Sequence, residues 1–199
     1  MGTICIDDRE IYYQTSADPL SATKKTLLFI HGAGGTKNHW FHQFGGLKSK
    51  FNIVVVELPG HGASSAQGAN RVERYAEDIA HVIDAVAPTP PVLAGHSMGG
   101  AIAQIVALNF TKKISGLILV GTGCRLKVVP SILDGLLEDF GETVKMINRY
   151  AFSKKAPDTL VQQGTDEMIK TPPSVLHGDF LACDRFDICE KIGNISHPA

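Results

Sequence analysis

Ser97 stands in "GHSMGG" (95–100), flanked by a glycine two positions to either side. A serine hydroxyl is a poor nucleophile at neutral pH, so chemistry at Ser97 needs a neighbouring group to take its proton. The short apolar run "VLAG" comes just before, and the apolar stretch "AIAQIVALNF" just after. A sharp strand-to-helix turn at that point would strain the serine backbone and lift its hydroxyl above the sheet edge. Side chains at Gly95 and Gly99 would collide with the adjoining strand and helix. Met98 opens the helix, and its N–H, backed by the helix dipole, faces the place where an oxyanion would form. A serine that merely caps a helix in a glycine-rich turn is the plainer reading, and the strand and helix on either side argue against it.

A second glycine-rich segment, "HGAGG" (31–35), follows the run "TLLFI". Its backbone can approach a ligand closely, and the N–H of Ala33 is the expected second oxyanion donor. The segment is not a phosphate loop, because GxxxxGK[ST] is absent, and "GAGGTK" lacks the third glycine of a dinucleotide fingerprint. His39 and His42 form HxxH without the intervening Glu or a third ligand. Neither a cofactor nor a metal is expected.

These residues need strands and helices to hold them. "TLLFIHG" (26–32) and "FNIVVVELPG" (51–60) are nearly continuous apolar runs, as expected of parallel strands covered on both faces. "VLAG" and "GLILVGTG" (116–123) read the same way. "TICI" and "EIYYQTS" flank Asp7-Asp8 as an antiparallel hairpin. In "RVERYAEDIAHVIDAV" (71–86) the apolar residues recur at helical spacing, with charges between them. "AIAQIVALNF" is apolar nearly all round, so its helix belongs at the centre. After Gly123 no buried-strand run appears before about Ile192. Short helical stretches, among them "SILDGLLEDF", "ETVKMINRYAF", "PDTLVQQGTDEMIK" and "FLACDRFDICEKI", are punctuated by Pro and Gly. The expected organisation is a core over 1–123, a helical lid over 124–190 and a return to the core over 191–199.

Composition excludes several classes. The hydrophobic share is 44%, the charged share 20% and the formal net charge −1, with the basic residues scattered. Neither nucleic acid nor a membrane surface is an expected partner. The N-terminus lacks a basic segment followed by an apolar one, so no secretory signal is read there. The cysteines, Cys5, Cys124, Cys183 and Cys189, form no CxxC, and free thiols in a cytoplasmic protein are the expectation.

With "HGAGG" (31–35), "ELPGHGASS" (57–65), "GHSMGG" (95–100) and "FDICEKIGNISHP" (186–198) in this order, the chain resembles the α/β-hydrolase superfamily over essentially its whole length. The variant it is most similar to is that of small lidded esterases and C–C-bond hydrolases. The resemblance implies an α/β fold, a mostly parallel central sheet flanked by helices with a helical lid. It also implies Ser97 as nucleophile, with Met98 and Ala33 as oxyanion donors. Glu57 replaces the aspartate often found before "LPGHG".

The family order is Ser, then Asp or Glu, then His. Only His177 and His197 follow Ser97. His177 lies within the helical stretch, and His197 precedes Pro198 at the wrong end of the expected sheet. "VGTGCR", after the next strand, holds no carboxylate, and Asp134 and Glu138 read as the polar face of a lid helix. The triad's acid and base are therefore expected beyond Ala199, in two further βα units of about 60 residues together. The expected activity of the intact protein is serine hydrolysis of an ester or similar carbonyl compound, through an acyl-enzyme on Ser97. C–C-bond hydrolysis and perhydrolysis are alternatives, as is a ligand-binding or sensor protein of the same fold. The expected partner is a small acyl substrate. The 199 residues alone are expected to be inactive.

Overall fold

The computed structural model describes residues 1–6, 9–65 and 67–199. The expected hairpin is present as β1 (Gly2–Ile6) and β2 (Arg9–Thr15), which pair antiparallel, although its Asp7-Asp8 turn falls outside the described residues. β3 (Thr26–Ile30), β4 (Asn52–Val56), β5 (Val92–His96) and β6 (Gly116–Val120) follow. The sheet order is β1-β2-β4-β3-β5-β6, antiparallel as far as β2–β4 and parallel from there on.

Side chains along a strand alternate between faces, and here both faces are covered. Leu28, Ile30, Val54, Val56 and Leu93 join one core, under α2 (Val72–Val86) and α3 (Met98–Asn109). Leu27, Phe29, Ile53, Val55 and Ala94 join a second core with Trp40, backed by Phe44 and Leu47 of α1 (Phe41–Leu47). This double burial is why "TLLFI" and "NIVVV" show no polar alternation. α3 is buried from Met98 through Ala107, which accounts for its apolar circumference.

The chain goes from β3 to β4 on one side, then crosses to β5 on the other. Strand order thus reverses between β3 and β5, and such a reversal opens a crevice at the carboxyl ends of the two strands. Ile30, the last residue of β3, pairs with Gly95, so the segments starting at His31 and Ser97 leave the sheet close together.

Residues 124–190 contain α4 (Pro130–Glu138), α5 (Phe140–Ala151), α6 (Asp158–Met168) and α7 (Pro173–Arg185). The described β structure in this stretch is an isolated bridge, Arg125 with Asp187. α4 and α5 divide at Asp139, whose side chain accepts the Glu142 N–H. α7 starts earlier than the "FLACDRFDICEKI" reading and stops at Arg185, because Phe186 and Ile188 turn inward to join the first core. Leu136, Val144, Ile147 and Leu176 form a small core of the segment's own, and Ala33 packs against it.

The expectation of free thiols fails for one pair. Cys124 and Cys189 form a disulfide across 65 residues of sequence, while Cys5 and Cys183 remain free. The helical excursion returns the chain beside its own starting point, which sequence spacing did not reveal. Beside the disulfide, Ile188 N–H donates to Cys124 O at 2.8 Å, and Arg125 pairs with Asp187 at 2.7 Å. Among the described residues no helix is long and apolar enough to cross a membrane.

Candidate active site

Ser97 has φ 53° and ψ −118°, and among the described residues it is the one non-glycine with positive φ. A side chain in such a region costs of order 1–3 kcal/mol and persists only where its surroundings impose it. Here the Ser97 N–H donates to Val120 O at 2.9 Å, and its carbonyl accepts from Gly100 N–H (2.9 Å) and Ala101 N–H (3.2 Å). The flanking glycines make the turn possible. A methyl group on Gly95 would lie 2.2 Å from Gly99 O, and one on Gly99 would lie 2.3 Å from Ile30 O. Both collisions are with backbone, which cannot rotate away.

Met98 is the first residue of α3 and wholly buried. Its N–H belongs to the helix's first turn and so has no intrahelical acceptor. The 31–35 loop lies against this elbow, since a methyl on Gly32 would be 3.2 Å from Ser97 Cβ. Gly32 O accepts from His31 Nδ1–H at 2.8 Å and from Gly35 N–H at 3.0 Å. A trans peptide is planar, so anchoring the Gly32 carbonyl inside the loop points the Ala33 N–H the opposite way. The loop that carries Ala33 thus lies beside Ser97 and the start of α3.

His31 is fixed in one tautomer. Nε2 accepts the Leu58 N–H at 3.0 Å, which leaves Nδ1 as the donor to Gly32 O. Burial, followed by the neighbouring His61, holds its pKa well below the ordinary value. Glu57, read as a mild departure from the family, is a buried clamp. It accepts from Ala63 N–H at 2.7 Å, from Lys37 Nζ at 3.2 Å and from Lys37 N–H at 3.3 Å.

The residues that sequence reasoning missed centre on Asp179 of α7. Its wholly buried carboxylate accepts from Tyr75 O–H at 2.6 Å, His61 Nε2–H at 2.8 Å and Gly34 N–H at 3.0 Å. His61 also donates through Nδ1 to Pro59 O at 3.1 Å. Both partners can accept, an arrangement that favours the doubly protonated ring. Burial opposes that charge, but the adjacent Asp179 carboxylate outweighs it and raises the His61 pKa. His61 stands within "ELPGHGASS" (57–65). Nothing local marked a partner 118 residues away.

Among the described residues the Ser97 hydroxyl has no hydrogen-bond partner. His197 Nε2 donates to Thr111 O at 2.9 Å, below the amino end of β6. His177 lines a surface groove with Asn70, Arg71 and Ser174. Neither reaches the elbow.

An open α/β sheet, a strained serine between β5 and α3 and a glycine loop beside it define a hydrolase-type scaffold. The chain belongs to the alpha/beta hydrolase fold family, whose pattern matches residues 25–168. It is 34% identical over 133 residues to a pimeloyl-[acyl-carrier protein] methyl ester esterase of Vibrio campbellii, covering 60% of this chain and 50% of that protein. A solved thermophilic esterase superposes with TM-score 0.79 at 29% identity, over 97% of this chain and 71% of the other. The enol-lactonase of Burkholderia xenovorans shares the fold with TM-score 0.89 at 16% identity, over 100% and 79%. The chain spans about half the length of the curated esterases it matches.

Proposed function

We propose that Ser97 is the nucleophile of an ester hydrolase acting on a small acyl substrate, with the N–H groups of Met98 and Ala33 as its oxyanion donors. The backbone strain stored at Ser97, beside a helix N-terminus and a glycine loop, carries this reading. It is supported by the esterase relatives, whose substrates are esters. Ser97 Oγ adds to the ester carbonyl carbon while a base takes its proton, and negative charge builds on the carbonyl oxygen between the two N–H donors. Collapse of this intermediate breaks the bond to the alkoxy oxygen, which leaves as the alcohol with that proton. Water then cleaves the acyl-serine by the same steps. Among the described residues the Ser97 hydroxyl contacts no base. A binding protein of the same fold is the second reading, favoured by that same lack of a contacting base.

A fluorophosphonate probe applied to the full natural chain containing these residues decides between them. Labelling of Ser97 that Ser97→Ala abolishes is expected. An unlabelled serine in an intact, folded protein would favour the binding reading.

A further inference from the structure

Asp179 belongs to the helical segment, yet its partners all lie outside it: Gly34 in the loop after β3, His61 in the turn after β4 and Tyr75 on α2. A buried carboxylate is costly unless every lone pair is taken up, and apolar packing would fasten α7 to the core without that cost. What apolar packing cannot do is fix the direction of a peptide N–H. We propose that Asp179 is a positioning residue for the oxyanion loop, so that seating of the helical segment and orientation of Ala33 are one event. The inference rests on the ester-hydrolase reading above.

Two peptide planes flank the Cα of Ala33. The Gly32–Ala33 plane is anchored from within the loop, by His31 and Gly35 on Gly32 O. The Ala33–Gly34 plane is anchored from the helical segment, by Asp179 Oδ2 on the Gly34 N–H. Thr171 Oγ1 lies 3.5 Å from Gly34 O, so the same segment also meets the far side of that residue. With both planes held, φ and ψ of Ala33 are set, and so is the heading of its N–H. The Ala33 side chain packs on the segment's own core, and Leu176 and Met168 crowd Gly34. His61 on Oδ2 and Tyr75 on Oδ1 hold the carboxylate aimed. Withdrawal of α7 would release one of the two anchored planes and leave the oxyanion site incomplete.

The test uses the full natural chain and a p-nitrophenyl ester. Asp179→Ala is expected to lower kcat by about 10²-fold, comparable to loss of one oxyanion donor, with KM within about threefold. Asp179→Asn keeps an oxygen for Gly34 N–H and is expected to retain several-fold more kcat than the alanine variant. Tyr75→Phe loosens the same carboxylate on its other oxygen; it is expected to lower Tm with little loss of kcat. Hydrogen exchange of peptides covering residues 30–36 is read in parallel, with faster exchange expected in both Asp179 variants and unchanged protection in β4. An Asp179→Ala enzyme with wild-type kcat overturns the proposal, as does a kcat loss that Tyr75→Phe reproduces at matched Tm. Should Asp179→Ala fail to fold, Asp179→Asn carries the test, and unchanged exchange at 30–36 overturns the idea. If the parent neither hydrolyses esters nor labels at Ser97, the ester-hydrolase reading fails separately, and the exchange data still decide whether Asp179 orders the loop.

Discussion

The rings of His31 and His61 lie 4.9 Å apart, yet their pKa values move in opposite directions. Burial and the neighbouring His61 keep His31 neutral, while Asp179 keeps His61 charged against burial. A histidine with a raised pKa stabilises the fold below its unfolded value of about 6.5 and loses that contribution as pH rises through the folded value. His31 does the reverse: its neutral form is at no disadvantage above about 6.5, and stability falls as pH drops below that value. In urea unfolding, the stability difference between wild type and His61→Gln should therefore shrink from pH 6 to pH 9. A difference that stays constant over this range would show that His61 carries no extra proton in the fold.

The elbow glycines make a second prediction. Gly95→Ala and Gly99→Ala place a methyl against backbone oxygens at 2.2 and 2.3 Å. Each should cost about 3 kcal/mol or more, the upper end of overpacking, because a strand or α3 must shift. Gly45→Ala and Gly46→Ala in α1, where a methyl meets nothing within 4 Å, should instead stabilise by about 0.5–1 kcal/mol. Equal urea midpoints for the two pairs would contradict the close approach.

The disulfide makes a third. Cys124→Ser opens a link across 65 residues, for which the chain-entropy account gives a loss of about 4 kcal/mol. Denaturation with and without reductant measures it. Cys5 is exposed and should react with a thiol reagent in the folded state. Burial pushes the Cys183 thiol up to about 12, so it should stay unreactive until unfolding. Rapid labelling of Cys183 in the native protein would show that α7 opens readily.

β6 supplies a fourth. Its outer end exposes Ile118 (44%), Leu119 (38%) and Val120 (43%). An uncovered apolar strand at a sheet edge invites pairing with another chain. As an isolated polypeptide, residues 1–199 should self-associate in light scattering, and Ile118→Lys with Val120→Lys should reduce this. A monodisperse 199-residue monomer in light scattering would overturn this expectation.

What could be read along the chain was local. Parallel strands covered on both faces must be apolar at every position, so "TLLFI" and "NIVVV" declared themselves. The elbow was legible because its close approaches are between residues adjacent in sequence or forced by strand pairing, and glycines two places either side of Ser97 are the record of that crowding. The frame of α7 was less legible, because its end is set by Phe186 and Ile188 reaching the first core rather than by a breaker. What joins distant segments left no local trace. An aspartate in "HGDF" and a histidine in "PGHG" are ordinary surface and turn residues until the helical segment folds back and buries them 2.8 Å apart. Cys124 and Cys189 likewise meet only because the excursion between them closes on itself. Spacing and periodicity encode contacts within an element, whereas a buried ion pair depends on which surfaces the packed layers bring together, and that was decided by the tertiary structure alone.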